Sequence, residues 1–257
     1  MWNADPFDVF SGFWQRYQLT AESKICQIQS GININMHNQS RLLPPMVKLN
    51  YTFHLSDAAF AIISHEADTT FNYEIKSAKL IFKRVNILPA LTNKFETMLS
   101  RQNALFPIYH TSTKRLNIPE KTQEFAYQDL YTGGFCPKTV ICGIISQQDI
   151  IGHFQDSSPF AFKPYGLKDI WFQVGSNRYP TLPLQLDYVS DPKKYMRGFQ
   201  TLYQELFSQK GSWIDYNRYL TGGFTLYKIQ LGQEEANGEF FSPKQIGPVR
   251  VNLSFSR

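Results

Sequence analysis

Residues 132–188 read TGGFCPKTVICGIISQQDIIGHFQDSSPFAFKPYGLKDIWFQVGSNRYPTLPLQLDY. Two short apolar runs, 138–145 and 168–175, lie in this stretch, each bounded by glycine and proline. Runs of this length between turn residues predict β-strands. In the first run Val140, Cys142 and Ile144 share one parity while Ile141 and Ile145 share the other, so a strand covered on both faces is expected. In the second, Ile170, Phe172 and Val174 alternate with Asp169, Trp171 and Gln173, which predicts one buried face. Between the runs lies a polar and aromatic loop containing Ser-Pro-Phe-Ala-Phe at 158–162.

Outward from this pair the same period recurs. In 23–36, Cys26, Ile28, Ile32, Ile34 and Met36 fall on one parity and Gln27, Gln29, Asn33 and Asn35 on the other. Residues 47–55 place Val47, Leu49, Tyr51, Phe53 and Leu55 against Lys48, Asn50, Thr52 and His54. Residues 73–88 alternate with two parity slips, as β-bulges would produce. Residues 105–131 read as a mixed, partly exposed extended segment. Residues 224–231 follow Gly222-Gly223 as a further strand. At the end Val249, Val251, Leu253 and Phe255 alternate with Arg250, Asn252, Ser254 and Ser256.

Helical spacing is confined to insertions. Pro89 opens a predicted helix over about 89–101, with Leu91, Phe95, Met98 and Leu99 on one stripe. A second is predicted over about 192–209, started by Asp191-Pro192, with Tyr195, Phe199, Leu202, Tyr203 and Leu206 on its stripe. A short turn or helical piece is expected at 56–63, with Ser56 as its cap. Residues 1–22, with Trp2, Phe7, Phe10, Phe13, Trp14 and Tyr17, show no period.

About seven or eight strands without a βαβ rhythm predict an all-β fold, an antiparallel jelly-roll β-sandwich with short helical insertions. The expected organisation is an aromatic N-terminal segment, 1–22, followed by one domain over 23–257.

The composition agrees with a covered surface. Aromatic residues make up 15% of the 257 residues and charged residues 18%, below the usual ~25%. The net charge of +5 is spread in short doublets such as Lys83-Arg84 and Lys193-Lys194, so no basic tail exists. A solvated basic surface and a diffuse contact with nucleic acid are both compatible with it. Three cysteines, Cys26, Cys136 and Cys142, make no disulfide framework and fit no zinc spacing, so free thiols are expected. The N-terminus lacks the charged and apolar regions of a signal peptide, and no apolar run is long enough to span a membrane. An intracellular, non-secreted protein is the expectation.

No nucleotide-binding glycine loop, serine-elbow motif or zinc-protease motif is present. The histidines His37, His54, His65, His110 and His153 are isolated, which excludes the His-x-His metal set of jelly-roll enzymes. Asp149, Asp156, Asp169, Asp187 and Asp191 read as turn and cap carboxylates, because no calcium-loop pattern accompanies them. No enzymatic role, cofactor or metal is expected.

Larger motifs remain. They are Gly-Phe-Cys-Pro-Lys-Thr-Val-Ile-Cys-Gly at 134–143, Ser-Pro-Phe-Ala-Phe-Lys-Pro-Tyr-Gly-Leu at 158–167, the strand 170–174, Leu-Gln-Leu-Asp-Tyr at 184–188, Gly-Gly-Phe-Thr-Leu-Tyr at 222–227 and the stretch 247–255. In this order and spacing the chain resembles the double jelly-roll major capsid proteins of Maverick/Polinton-type transposons and adintovirus-like viruses, over most of residues 10–256.

The resemblance implies a structural capsid subunit that corresponds to the second of two jelly rolls. It implies trimeric, pseudo-hexameric capsomers of an icosahedral shell, with the virion as the place of action. The partners would be further copies of the chain or a first jelly-roll chain, with non-specific contact to packaged nucleic acid. The segment 1–22 would mark the junction to that first barrel. The family also has a strand beyond the one matching 249–256, so the last strand would be missing here and the sheet would keep an open edge. Candidate packing residues are Trp2, Phe7, Phe10, Phe13 and Trp14 at the junction, Phe160, Phe162 and Tyr165 in the loop, and Tyr195, Phe199 and Tyr203 on the helix. The alternative reading is a β-sandwich module that binds glycans or proteins, in the form of a domesticated or degenerate transposon copy.

Overall fold

The computed structural model describes residues 12–34, 36–37, 41–44, 47–62, 64, 70–106, 108, 110–131, 134, 136–151, 160–190, 193–206, 214–232 and 246–256, without the side chains of 12–14 and 203–206. The elements in chain order are α1 (Gly12–Thr20), α2 (Ala58–Ala61), α3 (Pro89–Leu99), β1 (Glu124–Tyr131), β2 (Thr139–Gly143), α4 (Gln147–Ile151), β3 (Leu167–Val174), β4 (Asn177–Gln185), α5 (Met196–Leu206), α6 (Tyr216–Leu220), β5 (Leu226–Gln230) and β6 (Val249–Phe255). The chain divides into two compact units, one of residues 1–14, 56–71 and 114–257 and the other of 15–55 and 72–113.

All six strands belong to the first unit, and every pairing is antiparallel. One sheet has the order β1-β6-β3-β4, and β2 pairs with β5 in a second. The pairings nest. The first strand pairs with the last, the second with the fifth, and the third with the fourth through a tight hairpin. Such nesting is what results when one long antiparallel hairpin folds over on itself. The hairpin turn is Gly175-Ser176, since Val174 pairs with Asn177. Gly175 has φ 58, a conformation that glycine adopts without steric cost and that two-residue hairpin turns require.

The alternation expected for β3 and β6 is present. Leu167, Ile170, Phe172 and Val174 are buried on β3, as are Val249, Val251 and Leu253 on β6. They meet Leu184, Leu186, Tyr227, Ile229 and Leu231 in one core. Burying each such side chain contributes about 1.5–3 kcal/mol. Pro180 and Pro183 sit in β4, an edge strand, where a residue without an N–H is tolerated. Between the pairs Ile170↔Leu184 and Phe172↔Tyr179 the register shifts around them. A second core, of Leu202, Ile214 and Tyr219, joins α5 and α6 to this unit.

Several expectations are corrected. The strand over 138–145 shortens to β2 and is not covered on both faces: Ile141 is 49% exposed. Among the described residues β2 has one partner strand, and one parity packs on the core through Val140 and Cys142. The segment 105–131 hides a strand, β1, in which Phe125 and Tyr127 pair with Leu253 and Val251 before the register shifts ahead of Tyr131. The sheet does keep open edges, at β1 and β4, while β6 is paired on both sides, by β1 and β3.

The alternating stretches 23–36, 47–55 and 73–88 lie in the second unit and form no strand among their described residues. Ile25, Ile28, Phe53, Leu55, Ile81 and Phe82 are exposed there. Alternation states which face would be buried on pairing, but a strand needs a neighbour to meet its N–H and C=O groups. This unit does carry α3, starting at Pro89 as expected, and a contact between His37 Nε2 and Tyr51 Oη at 2.9 Å.

The aromatic start is not irregular throughout, since α1 covers Gly12–Thr20. Asp57, not Ser56, occupies the cap position of α2, and its side chain makes no cap bond. The second predicted helix begins at Met196, because the backbone of Lys194 is engaged with Asp187 in two hydrogen bonds of 2.7 Å.

Candidate functional site: a packing and assembly surface

The candidate residues separate into internal and exposed groups. On and beside α5, Tyr195 stacks against Tyr188 with centroids 6.1 Å apart and against Tyr219 at 6.4 Å. Phe199 packs on Tyr216 at 4.7 Å and edge-on against Tyr219 at 5.4 Å. Helical spacing places Tyr195, Phe199 and Leu202 on one face of the segment, and α6 returns Tyr216 and Tyr219 to meet it. Asp215 starts α6 by accepting the Arg218 N–H at 2.8 Å. Tyr195 and Phe199 are therefore tied into this unit's own packing. Tyr203 lies on the same helix, with its side chain outside the described residues.

Beneath the rings lies a cluster of phenol groups. The Tyr188 and Tyr227 hydroxyls are 3.0 Å apart. Tyr219 Oη is near enough to Tyr188 for the two to influence each other's ionisation, yet it is buried without hydrogen-bond geometry to any partner. Burial first, and then the neighbouring phenols, push Tyr219 and Tyr227 well above the ordinary tyrosine range. Tyr188 is raised as well, by burial, with the Tyr227 and Tyr219 hydroxyls beside it opposing. These phenols are neutral packing groups, unsuited to acid–base work near neutral pH.

The loop preceding β3 divides in the same way. Phe162 is half-buried and its backbone bridges to Phe224, with Phe162 N–H donating to Gly223 O at 2.8 Å and Thr225 N–H donating to Phe162 O at 3.1 Å. Its ring lies directly over Gly143 of β2, where no side chain would fit. Phe160 points outward, 65% exposed, with an edge contact to Phe60 at 5.9 Å. Tyr165 is also exposed and has φ 45, in the left-handed region, next to Gly166 at φ 69. Trp2, Phe7 and Phe10 lie outside the described residues. Phe13 and Trp14 lie on α1, with side chains outside them. Phe160 and Tyr165 are thus the candidates whose described side chains are exposed.

No group of three metal-ligating side chains occurs among the described residues. Cys142 is only partly buried as a residue, but its thiol is enclosed, and this burial pushes it up to about 12. Cys136 is raised by burial and donates to Gly247 O at 3.3 Å. Asp187 accepts N–H bonds from Val189 and Ser190, both at 3.0 Å. Those bonds, with one from the Ser190 hydroxyl as the largest influence, lower its carboxyl to about 2. Asp149 lies in the first turn of α4 and its N–H is capped by Ser146 Oγ at 3.1 Å, while Asp169 accepts a bond from Ser254 Oγ at 2.8 Å. The Asp187 and Asp169 carboxylates serve a local turn and strand pairing.

Sequence reasoning missed the outward face of the four-stranded sheet. There the Arg178 guanidinium lies over the Trp171 ring at 5.0 Å. The signal was present in the parity of Trp171 and Gln173, but the neighbours of these residues depend on strand register. No helix among the described residues is long and apolar enough to cross a membrane.

No family model matches the sequence, and no solved structure matches it. An uncharacterized protein of Caenorhabditis elegans is 20% identical over 237 residues, a span that covers 90% of this chain and 56% of the relative. The chain therefore spans about half the length of the curated relative it matches.

Proposed function

We propose that this chain is a structural subunit of a capsid-type shell, built on a jelly roll that corresponds to the second barrel of a double jelly-roll major capsid protein. The observation that carries the reading is the nested strand pairing, β1 with β6, β2 with β5 and β3 with β4. A jelly roll arises from that same folded long hairpin, with four such pairs; here three are present among the described residues. The ordered motifs of 134–188 and 222–255 support the same family. The C. elegans relative extends well beyond the matched span, which is in keeping with a protein that holds a further barrel.

In this reading the function is packing and not chemistry. Tyr195 and Phe199 stiffen the subunit, Phe160 and Tyr165 are contact residues between subunits, and capsomers are trimeric. The virion, or the host cell in which it assembles, is the place of action. The test is to express the chain alone and with a first jelly-roll chain encoded beside it. Light scattering coupled to size exclusion and electron microscopy then read the assembly. Trimers with pseudo-hexagonal outlines are expected. A monodisperse monomer in both cases would overturn the proposal, and glycan binding by that monomer would establish the binding-module alternative.

A further inference from the structure

The outward face of the four-stranded sheet carries a compact cationic and aromatic platform. Gln173 of β3 pairs with Arg178 of β4 on one side and with Arg250 of β6 on the other. Register partners share a face, so the two arginines flank Gln173 in one row across three strands. With strands about 4.8 Å apart, their Cα atoms stand roughly 10 Å apart. Trp171 is two residues along β3, about 7 Å away on the same face, and pairs with Asn252. Ile170, Phe172 and Val174 point the other way, into the core.

Both arginines are exposed. Among the described residues neither makes an ion pair. The Arg178 guanidinium is instead held over the indole at 5.0 Å, which fixes the fork that recognises phosphate. Asn252 Nδ2, beside Trp171 in register, is enclosed and has no hydrogen-bond acceptor. Of the acidic residues in these strands, Asp169 and Glu124 stand in the row at the other end, where Asp169 already accepts from Ser254, and Asp129 lies in the register shift of β1 opposite Arg250. The arginine end therefore carries two guanidinium groups against one carboxylate and stays net positive.

We propose that this platform, Trp171, Gln173, Arg178 and Arg250, binds single-stranded nucleic acid. The two guanidinium groups take successive phosphates of one strand. The stacked Arg178–Trp171 pair offers a flat surface on which an unpaired base lies, an interaction open to every base and therefore tolerant of sequence. A repeated anion suits two cations this far apart better than a lone phosphate does. A duplex, whose bases are stacked on each other, cannot use the indole.

The test is fluorescence anisotropy of the full chain with a labelled oligo(dT) of about 20 nucleotides and with a duplex of equal length, between 50 and 200 mM salt. The single strand is expected to bind and the duplex to bind more weakly. R178Q/R250Q is expected to weaken single-strand binding at least tenfold. It should also lower the slope of log affinity against log salt by about 1.4, at about 0.7 for each phosphate no longer neutralised. W171L is expected to weaken it about tenfold, as loss of one stacked base does. The control K94Q/R101Q removes the same charge from the exposed surface at α3 and should change little. Circular dichroism confirms that each variant is folded. Absence of binding at 50 mM salt, equal affinity for duplex, or an equal loss in the control would overturn the proposal.

Discussion

Replacing Gly198 with alanine should destabilise the protein, although glycine in a helix usually costs stability. The residue lies in α5, where Gly→Ala ordinarily gains about 0.5–1 kcal/mol. Here an added Cβ would lie 2.8 Å from Tyr219 Oη and 3.3 Å from Leu186 Cδ2. Tyr219 is fully buried against Phe199 and Tyr195, so its hydroxyl cannot swing aside. Overpacking of this kind costs about 1–3 kcal/mol. The net loss expected for G198A is about 1 kcal/mol, or about 2–4 °C in Tm for a chain of this size.

Tyr219→Phe behaves oppositely. It deletes a buried hydroxyl that has no partner, which relieves about 1 kcal/mol. It also clears the space above Gly198, since the Tyr219 ring carbons are no closer to that Cβ position than the 3.7 Å contact to Tyr227 Cδ1. In the Y219F background G198A should therefore become neutral or stabilising. The double-mutant cycle, measured by urea unfolding, should give a coupling of about 2 kcal/mol. Additivity within about 0.5 kcal/mol would refute the placement of this hydroxyl against α5, as would a destabilising Y219F.

Three further outcomes follow from the perturbed groups. Tyr188, Tyr219 and Tyr227 are raised above their ordinary value of 10.0, so their contribution to stability is complete below about pH 10 and is lost as pH rises beyond it. Tyrosinate absorbance should show these three ionising only as the circular dichroism signal collapses; ionisation near pH 10 in the folded state would contradict their burial. Cys142, at about 12, should resist thiol reagents at pH 8 until denaturant is added, whereas exposed Cys26 should react at once; equal rates in the native state would count against the enclosed thiol. Asp187, lowered from 3.8 to about 2, stabilises its turn above pH 4, and this contribution fades as pH falls towards 2. A carboxyl-carbon NMR titration with its midpoint near 3.8 would show that the Val189 and Ser190 bonds do not form in solution.

Much of the first unit was legible because its strands keep one parity. Ile170, Phe172 and Val174, like Val249, Val251 and Leu253, are apolar at every second position and are buried as that pattern requires. β1 escaped notice because Phe125 and Tyr127 are followed by a register shift that breaks the alternation. β4 carries two prolines that usually argue against a strand, and an edge position tolerates them. The stretches 23–36 and 47–55 show the converse, a strand pattern without a ladder among the described residues. Of the candidate residues, Tyr195 and Phe199 could be assigned to internal packing only after α6 was seen to bring Tyr216 and Tyr219 against them.

The sequence by itself determined the β character of 168–174, 226–230 and 249–255, the positions of α3 and α5 to within a few residues, and the absence of common catalytic motifs. Those features depend on local periodicity and on residue chemistry. The tertiary structure alone decided which strands are neighbours, and hence the nested pairing and the row Arg178–Gln173–Arg250. A parity pattern fixes a side chain's face. It carries no information about which distant strand supplies the next backbone ladder, because that choice is set by the joint burial of both strands' apolar faces.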